Sequence, residues 1–378
     1  MADAPVAGGV ASAIPQGAPG SSAHGPVLRE HGYHSLGVRA VIDETSDARS
    51  FVLDIPPELT ETFRYRPGQF CTFRVRVDGE EHFRSYSMSS EPDMDADLVV
   101  TVKRVPGGLV SNWLNDNVPT GATVELTKPA GVFCPQETER PLVAFCGGSG
   151  ITPVMSITKC VLATTGRTVR LLYANRDADS VIFDSGLREL EADHGERLQL
   201  QLHHDNDGGF LVSDDIRTFA AITPDADFYI CGPGPFMDLV EQSLHDLGVD
   251  PERIFIERFL VGDEFGESLG TDSATEPMTA SDGAATPENV TVILNGKPSV
   301  VSYHSGDTLL DTARRGGLRP PFSCEAGNCA TCMAFLREGS VRMRTNNALT
   351  PDEVEEGWVL TCQSLPTSPV VTVEYEAM

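Results

Sequence analysis

Cys324, Cys329, Cys332 and Cys362 stand in the spacing C-x4-C-x2-C followed by a distant fourth, the arrangement that holds a plant-type [2Fe-2S] cluster. Three thiolates on the short loop Ser323-Cys-Glu-Ala-Gly-Asn-Cys-Ala-Thr-Cys332 can wrap one side of two irons, and Cys362 arrives from a strand farther along. Ala326, Gly327, Asn328 and Ala330 supply the small residues such curvature needs. Gly and Asn reach left-handed backbone cheaply, and their amides can point at sulfurs. A zinc site or free thiols are the alternatives, but zinc sites favour paired short spacings, which this loop lacks.

A [2Fe-2S] centre stores one electron, whereas a nicotinamide cofactor delivers a hydride carrying two. A flavin can split that pair, so flavin and nicotinamide sites are expected upstream of the cysteines. The tetrad Arg84-Ser85-Tyr86-Ser87 offers a cation for phosphate, an aromatic plane and hydroxyls. Val102-Lys103-Arg104 then leads into Gly107-Gly108-Leu109-Val110-Ser111, a glycine turn opening a short helix. Helix N-termini suit a pyrophosphate, although an ordinary turn after a basic strand end would read the same way. Farther on, Cys146-Gly147-Gly148-Ser149-Gly150-Ile151-Thr152-Pro153 follows an apolar run, with Thr152 as the expected cap and Pro153 at the expected first helical position. Cys231-Gly232-Pro233-Gly234-Pro235-Phe236-Met237 is a second glycine elbow of this kind. Two elbows at strand ends on one sheet point to a ligand crevice there.

The elements that must position these groups fall into blocks. Residues 1–32, rich in Ala, Gly, Pro and Ser, read as a disordered tail. Within 33–138, alternating segments such as Phe70 to Val77 and Leu98 to Arg104 predict an antiparallel β-barrel. From 139 to 261, apolar strands Leu142 to Phe145, Val169 to Tyr173, Leu198 to Leu202, Phe228 to Cys231 and Ile254 to Phe259 are interspersed with helical stretches at Pro153 to Thr165 and Phe236 to Leu247. That rhythm predicts a parallel α/β sheet. Residues 262–289 contain Asp and Glu but no Lys or Arg, the composition of a flexible, self-repelling linker. Residues 290–378 form a compact domain with a hairpin around Asn295-Gly296 and a helix capped by Thr350, Pro351 and Glu353.

The net charge of −27 over 378 residues argues against nucleic acid or an anionic membrane as partner. No run approaches the roughly 18 apolar residues of a spanning helix. With no leader signal and scattered, odd-numbered remaining cysteines, a reducing cytoplasm is expected. His203-His204-Asp205 ends a predicted strand, where adjacent side chains point to opposite faces, so no metal is expected there.

From about His34 to Glu376 the chain resembles the ferredoxin-NADP reductase superfamily, in the oxygenase-reductase branch whose flavoprotein is followed by a plant-type β-grasp ferredoxin domain. Arg84-x-Tyr86-Ser87 matches its flavin motif, and Gly147 to Pro153 and Cys231 to Met237 match its two pyridine-nucleotide motifs. The segments Val41 to Ser50, Tyr173 to Asp177 with Ser180 to Phe183, and Pro321 to Cys324 narrow the likeness to reductases serving Rieske-type steroid monooxygenases. The resemblance implies FAD in the barrel, NADH as donor and a separate Rieske-type oxygenase as electron acceptor in steroid-ring degradation. It implies that Arg84 binds flavin phosphate, Tyr86 packs on the isoalloxazine and Ser87 bonds near its reactive nitrogen, with Ser85 also among the cofactor-binding residues. Lys103, Gly108 and Ser111 would serve the pyrophosphate, with Val102, Gly107 and Val110 also cofactor-binding. Gly147, Gly148, Ser149, Gly150, Thr152, Gly232, Pro233, Gly234 and Met237 would hold NADH. Cys231 would lie near the nicotinamide and Glu257 near the hydride path, against rival readings as a structural thiol and an edge-strand carboxylate. Acid in Asn175 to Asp179 favours NADH over NADPH, with Arg176 pulling the other way. A reductase for another oxygenase, such as a phenylacetyl-CoA epoxidase, and a redox sensor are the alternative functions.

Overall fold

The computed structural model describes residues 32–259 and 287–375. They belong to two compact units, represented by 33–259 and 287–375. The expected tail and nearly all of the acidic stretch 262–289 lie outside the described residues.

The first unit opens with β1 (Tyr33–Thr45), β2 (Ala48–Asp54), β3 (Phe70–Val77), β4 (Glu80–Ser87), β5 (Leu98–Lys103), α1 (Leu109–Asn117) and β6 (Thr123–Thr127). The strands pair antiparallel in the order β4-β3-β6-β1-β2-β5. A bridge between Met88 and Val100 joins the two outer strands and closes the sheet into the expected barrel. Alternation fills it: Leu36, Val38, Phe51, Leu53, Phe73, Val100, Val102 and Leu126 are buried together with Leu114 of α1. Each such side chain contributes about 1.5–3 kcal/mol relative to exposure. The β3–β4 turn is Asp78-Gly79, both left-handed, which matches the twist of the paired strands.

The chain continues through β7 (Leu142–Gly147), α2 (Ile151–Thr164), β8 (Val169–Asn175), α3 (Asp184–His194), β9 (Leu198–His204), the one-turn α4 (Asp205–Gly208), α5 (Ser213–Ala221), β10 (Asp227–Gly232), α6 (Gly234–Asp246) and β11 (Ile254–Arg258). The strands form a parallel sheet in the order β11-β10-β7-β8-β9. β7, β8 and β10 are buried along their whole length because α2 and α3 cover one face and α5 and α6 the other. α3 buries only Leu187 and therefore leaves almost no apolar period in the sequence. One helix start differs from expectation. α2 begins at Ile151 with Gly150 as N-cap, so Pro153 is third in the helix. The Thr152 hydroxyl donates to Ser149 O instead of capping, because a tight Gly148–Gly150 turn already supplies the entry.

The second unit comprises β12 (Asn289–Leu294), β13 (Lys297–Ser302), α7 (Leu309–Arg315), β14 (Met333–Glu338), β15 (Val341–Met343), α8 (Pro351–Glu356), β16 (Trp358–Leu360), β17 (Ser364–Pro366) and β18 (Val371–Glu374). Its main sheet runs β13-β12-β18-β14-β16, with β12 parallel to β18 and α7 packed on the sheet through Leu309 and Ala313, a β-grasp arrangement. β15 and β17 form a separate short ladder. The Asn295-Gly296 turn and the Thr350–Glu353 capping box are both present. Among the described residues, no helix is long and apolar enough to cross a membrane.

Candidate functional site

At the end of β4 the tetrad runs against β3, with Cys71 opposite Tyr86 and Phe70 opposite Ser87. Tyr86 is partly buried and sits edge-on to Phe73 at 5.5 Å, and burial raises its phenol pKa. The Ser85 hydroxyl shares a 2.9 Å hydrogen bond with Thr72, and Arg84 Nη1 donates to Phe83 O at 2.8 Å. Ser87 is different. Its hydroxyl is buried and has no hydrogen-bond partner among the described residues, a costly state unless a ligand supplies one.

The loop after β5 presents the first turn of α1. Gly107 is left-handed, and Gly108 is the N-cap. A Cβ on Gly108 would lie 2.8 Å from the Val105 side chain and 2.9 Å from Ser111 Oγ, so only glycine fits. Ser111 Oγ accepts the Val105 N–H at 3.1 Å, which commits that hydroxyl to shaping the loop. Asn112, to which sequence reasoning assigns no role, ties the same loop by donating to Val105 O and Gly108 O. Val110 is buried, and the Val102 side chain lies wholly in the barrel core, so only the main chain of Val102 can face a ligand.

The two glycine elbows meet. β7 and β10 are neighbours, with Cys146 beside Cys231, and strand order reverses between them, which is where open α/β sheets place ligands. A Cβ on Gly147 would lie 2.7 Å from Pro233, one on Gly232 2.9 Å from Gly147 N, and one on Gly150 2.1 Å from Cys231 O. Pro233 caps α6, Gly234 is its first residue, and Met237 is buried beneath it. Gly148 is left-handed, and Lys103 Nζ lies 3.6 Å from where its Cβ would be, so the end of barrel strand β5 meets the first elbow. Burial lowers the Lys103 pKa, and Asp47, 3.9 Å away, opposes that shift. Cys231 is fully buried. Its thiol pKa is raised by desolvation, then by the neighbouring Glu257 on edge strand β11 and by Cys146. A thiol of that kind is inert as a nucleophile. Asp177, at the exit of β8, accepts from Ser180 N–H at 2.9 Å and from Arg176 Nε at 3.1 Å. The Arg176 guanidinium beside it holds its carboxyl below the ordinary range. His203 and His204 are engaged with Gly209, Asp205 and Asp207.

In the second unit, Cys329, Cys332 and Cys362 are buried and Cys324 is half-buried. Glu325, Gly327 and Ala330 adopt left-handed backbone, whereas Asn328 does not. Asn328 instead points its N–H at Cys324 Sγ, 3.3 Å away, and accepts from Asn347 through its side chain. A Cβ on Gly327 would lie 2.8 Å from Thr345 O. Cys329 Sγ accepts the Cys324 N–H at 3.5 Å, and Cys332 is held beside the Cys362 end through the Thr361 N–H bond to Cys332 O at 3.2 Å. Among the described residues no three such ligands surround one ion. Three cysteines on one loop and a fourth just beyond β16 match the thiolate set expected of a plant-type [2Fe-2S] cluster.

Comparison with known proteins agrees with this reading in order along the chain. Residues 36–134 match the oxidoreductase FAD-binding domain, 145–242 the oxidoreductase NAD-binding domain and 292–367 the 2Fe-2S iron-sulfur cluster binding domain. The fold and site therefore define an oxidoreductase that uses FAD, NAD and a [2Fe-2S] cluster. The chain is 40% identical, over 91% of its length and 98% of the relative's, to a 3-ketosteroid-9-alpha-monooxygenase ferredoxin reductase component of Rhodococcus rhodochrous. It is 34% identical, over 91% of its length and 98% of the relative's, to a component of the 1,2-phenylacetyl-CoA epoxidase of Escherichia coli. A solved phthalate dioxygenase reductase shares the fold with a TM-score of 0.57 at 23% identity, covering 91% of this chain and 98% of that one. The chain belongs to the family of flavin and [2Fe-2S] reductase components of monooxygenase systems.

Proposed function

We propose that this reductase passes electrons from NADH to a Rieske-type oxygenase that hydroxylates 3-ketosteroids during steroid-ring degradation. When bound, FAD would supply the conversion of a two-electron hydride into single electrons, and the [2Fe-2S] cluster would supply their one-electron relay. The chain's own residues do the holding. Ser87 supplies its unpartnered hydroxyl to the flavin ring edge, Tyr86 packs against the ring and Arg84 meets flavin phosphate. Lys103 and the first turn of α1 at Gly108 to Ser111 take the pyrophosphate. The interlocked elbows Gly147 to Thr152 and Cys231 to Gly234 seat NADH, with Cys231 and Glu257 beside the nicotinamide. The acidic loop Asn175 to Asp179 favours NADH over a 2′-phosphate, although the Arg176 guanidinium paired with Asp177 offsets part of that charge. Cys324, Cys329, Cys332 and Cys362 hold the cluster.

The observation that carries the steroid assignment is the 40% identity to a 3-ketosteroid-9-alpha-monooxygenase reductase across nearly the whole chain, above the 34% to the epoxidase component. Reconstitution tests it. Mixed with NADH and a Rieske-type 3-ketosteroid oxygenase, the reductase is expected to give hydroxylated steroid in proportion to NADH consumed. Product only with an epoxidase core would transfer the assignment to that system. Rapid multiple-turnover reduction of a one-electron dye by NADH rules out a pure redox sensor.

A further inference from the structure

We propose that Tyr173 is a positioning residue for the dinucleotide, holding the first glycine elbow and the acidic loop after β8 at a fixed spacing. Tyr173 is fully buried on β8, in register beside Cys146 of β7. Its hydroxyl donates to Gly148 O at 2.9 Å and accepts the Ile182 N–H at 3.3 Å. A single phenol oxygen thus uses its donor and an acceptor lone pair to join two loops at the C-terminal edge of the sheet.

Both loops have reason to need that tie. Gly148 sits in the tight Gly148–Gly150 turn at a φ of 51°, next to Lys103 Nζ. Ile182 closes the loop that starts with the Asp177–Ser180 capping box. The next residue, Phe183, is left-handed at a φ of 64°, which a bulky side chain adopts only when its surroundings impose it. A dinucleotide must touch both loops at once, with its pyrophosphate at the elbow amides and its adenosine ribose toward Asp177. Strand pairing between β7 and β8 ends at Gly147 and Ala174, and beyond it the phenol is a hydrogen-bonded link between the two loops. The inference rests on dinucleotide binding at the elbows and not on the identity of the oxygenase.

Tyr229 provides a matched control. It is equally buried on β10, and its hydroxyl likewise donates to a carbonyl, Cys134 O at 3.1 Å, and accepts an amide, Gln136 N–H at 3.0 Å, away from the elbows. Tyr173→Phe and Tyr229→Phe are compared in the full-length protein loaded with flavin and cluster. Tyr173→Phe, which removes both hydrogen bonds of the phenol, is expected to weaken NAD+ binding by calorimetry, and to raise KM for NADH, about five- to tenfold, the part of that loss that falls on the bound state. Flavin reduction at saturating NADH should stay within about twofold, and exchange of the Ile182 amide should quicken. Tyr229→Phe should leave NAD+ affinity within about twofold even if it melts earlier. Equal affinity losses in the two variants, or earlier melting of Tyr173→Phe with affinity and KM intact, would overturn the proposal. Failure of the unmodified protein to bind NAD+ would overturn the dinucleotide reading, and this inference with it.

Discussion

Replacing Gly150 by alanine drives a methyl group into the neighbouring elbow. The added Cβ would lie 2.1 Å from Cys231 O, 2.4 Å from Cys231 C and 2.7 Å from Gly232 N, where ordinary contact begins near 3.4 Å. Relieving the worst overlap requires the start of α2 and the end of β10 to separate by about 1.3 Å. Backbone conformation does not oppose the change, since Gly150 is already right-handed at φ −61° and ψ −12°. Alanine there even gains about 0.4–1 kcal/mol from the unfolded chain. Overpacking costs about 1–3 kcal/mol, and the obstacle here is backbone, which cannot rotate aside, so the upper end applies. The net loss is about 2 kcal/mol, a Tm drop of about 4–8 °C for a unit of this size. Function should suffer more, because a displacement of about 1 Å at an oriented site can cost on the order of a hundredfold. Melting and NAD+ titration of the flavin-loaded variant provide the measurement. An unchanged or raised Tm with NAD+ affinity retained would refute the idea that the elbows interlock through this glycine.

Other substitutions separate the parts. Ser87→Ala removes a hydroxyl that bonds to nothing among the described residues, so the flavin-free variant should melt within about 1 kcal/mol of the parent while FAD affinity or its reduction rate falls about tenfold. A larger loss in the flavin-free protein would show that the hydroxyl has a protein partner. Cys329→Ser should abolish the cluster's EPR signal and leave flavin reduction by NADH intact; a full signal would remove Cys329 from the ligands. Asp227 and Arg167 form a fully buried pair at 2.9 Å, joined by Arg140 and Thr138. Asp227→Ala strands the Arg167 charge and should cost about 3–5 kcal/mol in a denaturant melt, with a loss below about 1 kcal/mol counting against the pair.

Several features are legible in the sequence because they are local. β3 runs over Phe70–Val77 as its alternation predicts, and the Asn295-Gly296 turn and Thr350 cap act through residues two or three apart. The cluster loop and both elbows are likewise short-range signals. Thr152 has the look of a cap but is none, because the tight turn before it leaves no trace distinct from any glycine run. Asn328 has the type of a left-handed residue in the cluster loop, yet Ala330 and Glu325, whose carbonyl accepts from distant Gln363, take that backbone.

By itself the sequence determined the chemistry available: four cysteines at cluster spacing, two glycine elbows after strands, and a flavin-type tetrad in chain order. Apart from the distant Cys362, each of those signals lies within residues close enough in the chain to share one loop. Only the tertiary structure decided that Gly150 presses on Cys231, that Lys103 reaches Gly148, that Ser87 keeps an unanswered hydroxyl and that Tyr173 bridges two loops. Each of these is a relation between atoms that strand order and register bring together, and side-chain identity along the chain does not encode which distant neighbour a buried group will meet.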